Sequence, residues 1–109
     1  MSTIELEVIK HRVGSIADDM AIAMMVDNPE GSQEIYDRVR GQIGLERPAG
    51  GIFHVAGPSP NGGWRVIEVW DSEDDAKRFV TERLLPAFKA VGAPAPPPPQ
   101  LWPVHNYMA

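Results

Sequence analysis

The chain contains no cysteine. That absence removes disulfides, thiolate metal sites and cysteine nucleophiles together, and it suits a reducing compartment. Clustered positive charge is also missing. Ten Lys and Arg stand against fifteen Asp and Glu, for a formal net charge of −5, and the basic residues are scattered. A phosphate backbone is gripped by clustered cations that release its counterions, so no nucleic-acid partner is expected. Long apolar runs are absent too. The longest, "MAIAMMV" from Met20 to Val26, is far short of the roughly 20 residues that span a bilayer. The opening "MSTIELEVIKHR" interleaves charges with apolar residues and lacks the apolar core of a secretory signal. A cytoplasmic chain with no membrane partner is the expectation.

What is present is ordinary for a globular domain: 109 residues, 43% hydrophobic and 23% charged. A chain this short buries perhaps ~65% of its unfolded surface, which makes a thin core and leaves apolar surface that favours self-association. Residues 1–19 read as an N-terminal helical extension, with Leu6, Ile9, Val13, Ile16 and Met20 in one stripe and Gly14 weakening it. The remaining residues, 20–109, form the domain.

Met20 to Val26 is apolar on both parities, which predicts a strand covered on two faces. "DNPEGSQEIYDRVRGQIGL" predicts a helix buried through Ile35, Val39 and Ile43 and ended by Gly44. Asn28 caps it with Pro29 in the first position, or the start slips to Gly31 or Ser32. Strands follow at Gly51 to Ala56 and Trp64 to Trp70, joined by the turn residues "PSPNGG". "DSEDDAKRFVTERLLPAFKAVGA" is a second helix, capped by Ser72 and buried through Ala76, Phe79, Val80, Leu84, Phe88 and Val91. Pro86 predicts a kink or restart within it, and Gly92 its end. "APAPPPPQ" is an extended connector, and a last strand is expected from Leu101 to about Met108.

The order strand, helix, strand, strand, helix, strand is the ferredoxin-like α+β pattern, a four-stranded antiparallel sheet with both helices on one face. The other face is too apolar to stay in water, since Trp64, Val66 and Trp70 occupy one parity of the third strand and Ile67 and Val69 the other. An isologous homodimer, two sheets closing face to face into a barrel, is the economical solution.

The segment "GGIFHVAGPSPNGGWRVIEVWDSEDDAKRFVTERLLPAF" together with "PVHNYM" resembles the small dimeric α+β-barrel proteins of the antibiotic-biosynthesis-monooxygenase-like superfamily, over residues 20–109. That superfamily includes cofactor-independent quinone-forming monooxygenases, haem-degrading oxygenases and isomerases. The resemblance implies an apolar pocket between sheet and helices for a small aromatic or polyketide-like molecule, helped by Asn, Trp and His side chains. "IELEVIKHRVGSIADDM" is similar to the opening of hydantoinase-B and acetone-carboxylase-type subunits, although seventeen helical residues carry no such activity.

Three residues are candidates for proton chemistry. His54 is either a satisfied core histidine or a pocket base kept neutral by burial. His105 falls in the expected last strand, where contacts across a dimer would equally explain it. Glu68 sits inside an apolar strand, where a carboxylate is costly unless paired or facing a wet pocket; an arginine of a neighbouring chain is the bland alternative. Trp64, Trp70, Phe53 and Tyr107 are candidate walls for an aromatic ligand, with core filling as the competing role for the tryptophans. No cofactor is expected, and His54, His105 and Glu68 lack the spacing of a metal site. A ligand-binding or assembly module without catalysis is the alternative function.

Overall fold

The computed structural model describes residues 20–109. The N-terminal helical extension expected over residues 1–19 lies outside them. The elements run β1 (Ile22–Asn28), α1 (Gln33–Ile43), β2 (Gly51–Pro58), β3 (Trp64–Trp70), α2 (Glu73–Phe79), a π-helical turn (Val80–Leu84), α3 (Leu85–Ala90) and β4 (Gln100–Pro103). The strands form one antiparallel sheet in the order β2-β3-β1-β4. This is the expected α+β ferredoxin-like arrangement. No helix among the described residues is long and apolar enough to cross a membrane.

Local chemistry sets the element ends. Of the starts open for α1, the later one holds: the Ser32 hydroxyl accepts from the Ile35 N–H at 3.2 Å. Asn28 instead closes a turn, its side-chain oxygen accepting from the Glu30 N–H at 3.1 Å. Gly44 ends α1 at φ +97°, a left-handed conformation that glycine adopts without a Cβ clash. Ser72 caps α2 by accepting from Asp75 N–H, and three acids in that first turn favour the helix dipole. Pro86 has no N–H to continue the ladder, and the chain restarts around it. The Leu85 N–H reaches back to Val80 O in a wide turn, and Pro86 then stands in the first turn of α3.

Cross-strand register divides the sheet into two faces. Ile22 opposite Trp70, Met24 opposite Glu68, Val26 opposite Val66 and Asn28 opposite Trp64 share the helix-covered side. Met24 and Trp70 pack there on Ala76 and Phe79, the Trp70 and Phe79 rings 5.0 Å apart. Burying side chains of this size stabilises the fold by roughly 1.5–3 kcal/mol each. The other side carries Phe53, Val55, Met25, Ile67 and Trp102, and no described element covers it; Phe53, Val55 and Trp102 remain 40%, 47% and 43% exposed.

β1 and β2 run two residues past their expected ends, to Asn28 and Pro58, and β4 starts one residue early at Gln100. Two other boundaries also depart from expectation. β1 begins two residues later, at Ile22, and β4 stops at Pro103 rather than near Met108. The reason is shared: β4 pairs with β1, and once Pro103 has met Ile22 only the Val104 N–H to Ala21 O bond remains to be made.

Candidate functional site

Between the helix-covered side of the sheet and α1 lies a cavity of about 330 Å³. Its walls are mainly apolar, with Val26 and Val66 from the sheet, Val39 and Ile43 from α1, Leu84 from the end of the π-helical turn and Phe88 from α3. The wide turn therefore matters to the site, because it sets how the last two side chains meet the pocket.

Four polar groups of the cavity, on Tyr36, His54, Glu68 and Trp70, form one hydrogen-bonded chain. His54 on β2 stands directly opposite Glu68 on β3, so both side chains project to the helix side. His54 Nδ1 lies 2.7 Å from Glu68 Oε2. The other carboxylate oxygen, Oε1, accepts the Trp70 indole N–H at 3.0 Å. At the far end His54 Nε2 lies 2.6 Å from the Tyr36 hydroxyl of α1. Tyr36 also stacks against His54 and tilts against Trp64, with ring centroids 5.9 and 5.7 Å away.

Proton positions follow from donor inventory. An indole N–H only donates, and a carboxylate only accepts. His54 therefore presents Nδ1–H to Glu68, leaving the Nε2 lone pair to accept from the Tyr36 hydroxyl. Burial pushes the Tyr36 phenol above its ordinary range, opposed by the nearby Arg40 guanidinium and reinforced by Glu68 and Asp37. Tyr36 is thus held as a donor.

The candidate residues separate clearly. His54 and Glu68 meet, as a pair within one chain; Glu68 is buried at 7% exposure and has no need of a neighbouring chain's arginine. His54 is not a buried core histidine: its side chain is 34% exposed, at the rim of the cavity. Trp64 and Trp70 both line the cavity. Trp70 is 2% exposed and committed to the core and to Glu68, which is the filling role. Phe53 meets the cavity at its edge, but it pairs with Val69 and belongs to the uncovered face of the sheet. His105 and Tyr107 lie past the end of β4 as exposed residues of an irregular tail, so the strand parity that suggested them does not exist. They do not join His54 and Glu68. Tyr36 was missed because the α1 stripe reads through its neighbour Ile35. Its spacing of three, four and seven from Val39, Arg40 and Ile43 was the available signal.

Comparison with known proteins adds fold and little else. No family model and no curated protein matches the chain. Among solved structures it is similar to a variant of SnoaB, a cofactor-independent oxygenase from Streptomyces nogalater, with TM-score 0.54 and 15% identity over 83% of this chain and 97% of that one. It is also similar to a protein from Chloroflexus aurantiacus described as an antibiotic biosynthesis monooxygenase, with TM-score 0.53 and 14% identity over 82% of this chain and 95% of that one. The fold of this chain is therefore the α+β sheet-and-helix fold of antibiotic-biosynthesis-monooxygenase-like structures.

Proposed function

We propose that the chain binds a small aromatic or polyketide-like molecule in the cavity and oxygenates it without a cofactor, His54 acting as the base. The observation that carries this reading is the hydrogen-bonded chain Tyr36–His54–Glu68 at the rim of an apolar cavity. Glu68 fixes the imidazole with Nε2 as its base position, where the substrate's phenol takes the place of the Tyr36 hydroxyl, and stabilises the imidazolium formed when that nitrogen takes the phenolic proton. The electron-rich phenolate is then the reductant. A ring CH₂ becomes C=O with one oxygen of O₂, and the other oxygen leaves as water with the two hydrogens of that carbon. The four electrons come from the substrate, so no external donor is required. The apolar walls exclude bulk water from the intermediate.

The same fold supports a quieter reading, a ligand carrier or assembly module. A cavity that reaches His54 favours catalysis, whereas one filled by the chain's own tryptophans would have favoured the carrier. Trp70 is core, yet the space beside it stays open. The uncovered apolar sheet face supports a second proposal, that two copies dimerise through it. The cysteine-free sequence supports a reducing, cytoplasmic setting.

The test is oxygen consumption with a panel of polycyclic phenols. Turnover that falls about 10²–10⁴-fold in His54→Gln supports the base. Tight binding without turnover supports the carrier, and no binding by any phenol overturns both.

A further inference from the structure

Among the described residues, one cation facing the cavity has no partner for its side chain. Arg40 lines it from α1, half-buried, one helical turn beyond Tyr36, and its guanidinium makes no hydrogen bond or ion pair with the described residues. The other charged groups around the cavity are occupied or in solvent. Arg47 donates to the carbonyls of Gly51 and Ile52 at 3.4 and 3.0 Å, Glu68 holds His54 and Trp70, and Glu46 is exposed at the mouth. Elsewhere the described arginines are tied down: Arg38 to Val91 O, Arg65 to Asp27, Arg78 to Asp75 and Arg83 to Ile43 O. A guanidinium that borders an apolar cavity with its donors unused by the described residues is suited to an anionic oxygen, to which it offers two parallel N–H groups.

We infer that the cavity takes an aromatic molecule bearing an ionised oxygen, a carboxylate or a phenolate, which Arg40 pairs while the ring lies against the apolar walls. This rests on the ligand-binding reading above and deepens it. If the oxygen is the one deprotonated at His54, Arg40 neutralises the charge as it forms. The field of Arg40 already reaches the Tyr36 phenol, which places the guanidinium near that end of the cavity.

The experiment is quenching of tryptophan fluorescence in the full chain by naphthoate, its methyl ester and naphthol, the last titrated through its own ionisation. A charge-assisted bond predicts that naphthoate binds about tenfold tighter than the ester, with salt weakening the acid and sparing the ester. Arg40→Gln should erase that preference while leaving ester affinity in place, and Arg40→Lys should keep much of it. Naphthol that tightens on ionising assigns the phenolate, and naphthol that does not leaves the carboxylate as the ligand. Equal binding of acid and ester in the wild type, or a preference that survives Arg40→Gln, overturns the inference while the cavity reading stands. Failure of all three probes to bind overturns the cavity reading and this inference with it.

Discussion

Glu68 and Trp70, two residues apart on β3, are joined by a hydrogen bond of 3.0 Å from the indole N–H to the carboxylate. Both project to the helix side because alternate strand residues share a face. The bond anchors the carboxylate from below, so that its second oxygen meets His54 in a fixed direction. Glu68→Leu should strand the indole donor in the core and cost about 1–3 kcal/mol, the usual penalty for an unmet buried donor. Glu68→Gln keeps an acceptor for Trp70 and should cost less, yet its amide NH₂ would face Nδ1 and force the proton onto Nε2. Chemical denaturation should rank the two variants in that order, while imidazole ¹⁵N shifts should show the tautomer reversed in Glu68→Gln.

How far these relations could be read ahead depends on whether they are local. His54 and Glu68 were visible because an ionisable group within an alternating apolar strand violates the pattern at a single position. Their pairing was not, since it depends on the β2–β3 register, and a bulge between Gly51 and Phe53 shifts that register in a way no residue type announces. The split in the second long helix was legible from Pro86, because a missing N–H is a property of one residue. The last strand was overread for the opposite reason. "PVHNYM" alternates well enough, but a strand lasts only as long as its partner, and β1 runs out at Ile22. Tyr36 and Arg40 belong to the cavity only because a sheet lies across from α1.

Asp27 and Arg65 form a cross-strand pair on the uncovered face, 2.8 Å apart, with the Asn61 amide donating to the same oxygen at 3.2 Å. The Arg65 guanidinium, helped by Ser59 and Asn61, holds the Asp27 carboxyl down at about 2, below its ordinary 3.8. A carboxyl depressed in the folded state contributes stability that is present above 3.8 and lost as pH falls through about 2. Carboxyl-carbon NMR should show one aspartate titrating near that lower value. In Asp27→Asn that resonance disappears, and the fall in stability across this acid window becomes shallower.

Gly62 and Gly63 both adopt positive φ in the β2–β3 turn, +96° and +81°, but their surroundings differ. A Cβ on Gly62 would point into open space, whereas one on Gly63 would run into the backbone of Asn28 and Pro29. Gly62→Ala should cost about 1 kcal/mol, from left-handed strain alone. Gly63→Ala should cost clearly more, because rigid backbone must move at the end of β1. Thermal unfolding of the two variants should separate them, and equal losses would mean that the close approach relaxes without penalty.

Val55 tests the proposed dimer. It is 47% exposed on the uncovered face and pairs across strands with Ile67, with Phe53 and Trp102 on the same side. In an isologous interface each residue near the two-fold axis meets its own copy or a close neighbour, so one substitution is felt twice. Two sheets packed face to face lie about 10 Å apart, too close to keep a carboxylate hydrated. Val55→Glu should therefore convert a dimer to single protomers in sedimentation velocity, even at concentrations where the wild type sediments at twice the chain mass. The cavity lies on the opposite side of the sheet and excludes Val55 from its lining, so affinity for naphthoate should survive the change. A wild-type chain that sediments as one protomer would overturn the dimer, and loss of naphthoate binding alongside dissociation would show that the partner copy shapes the cavity.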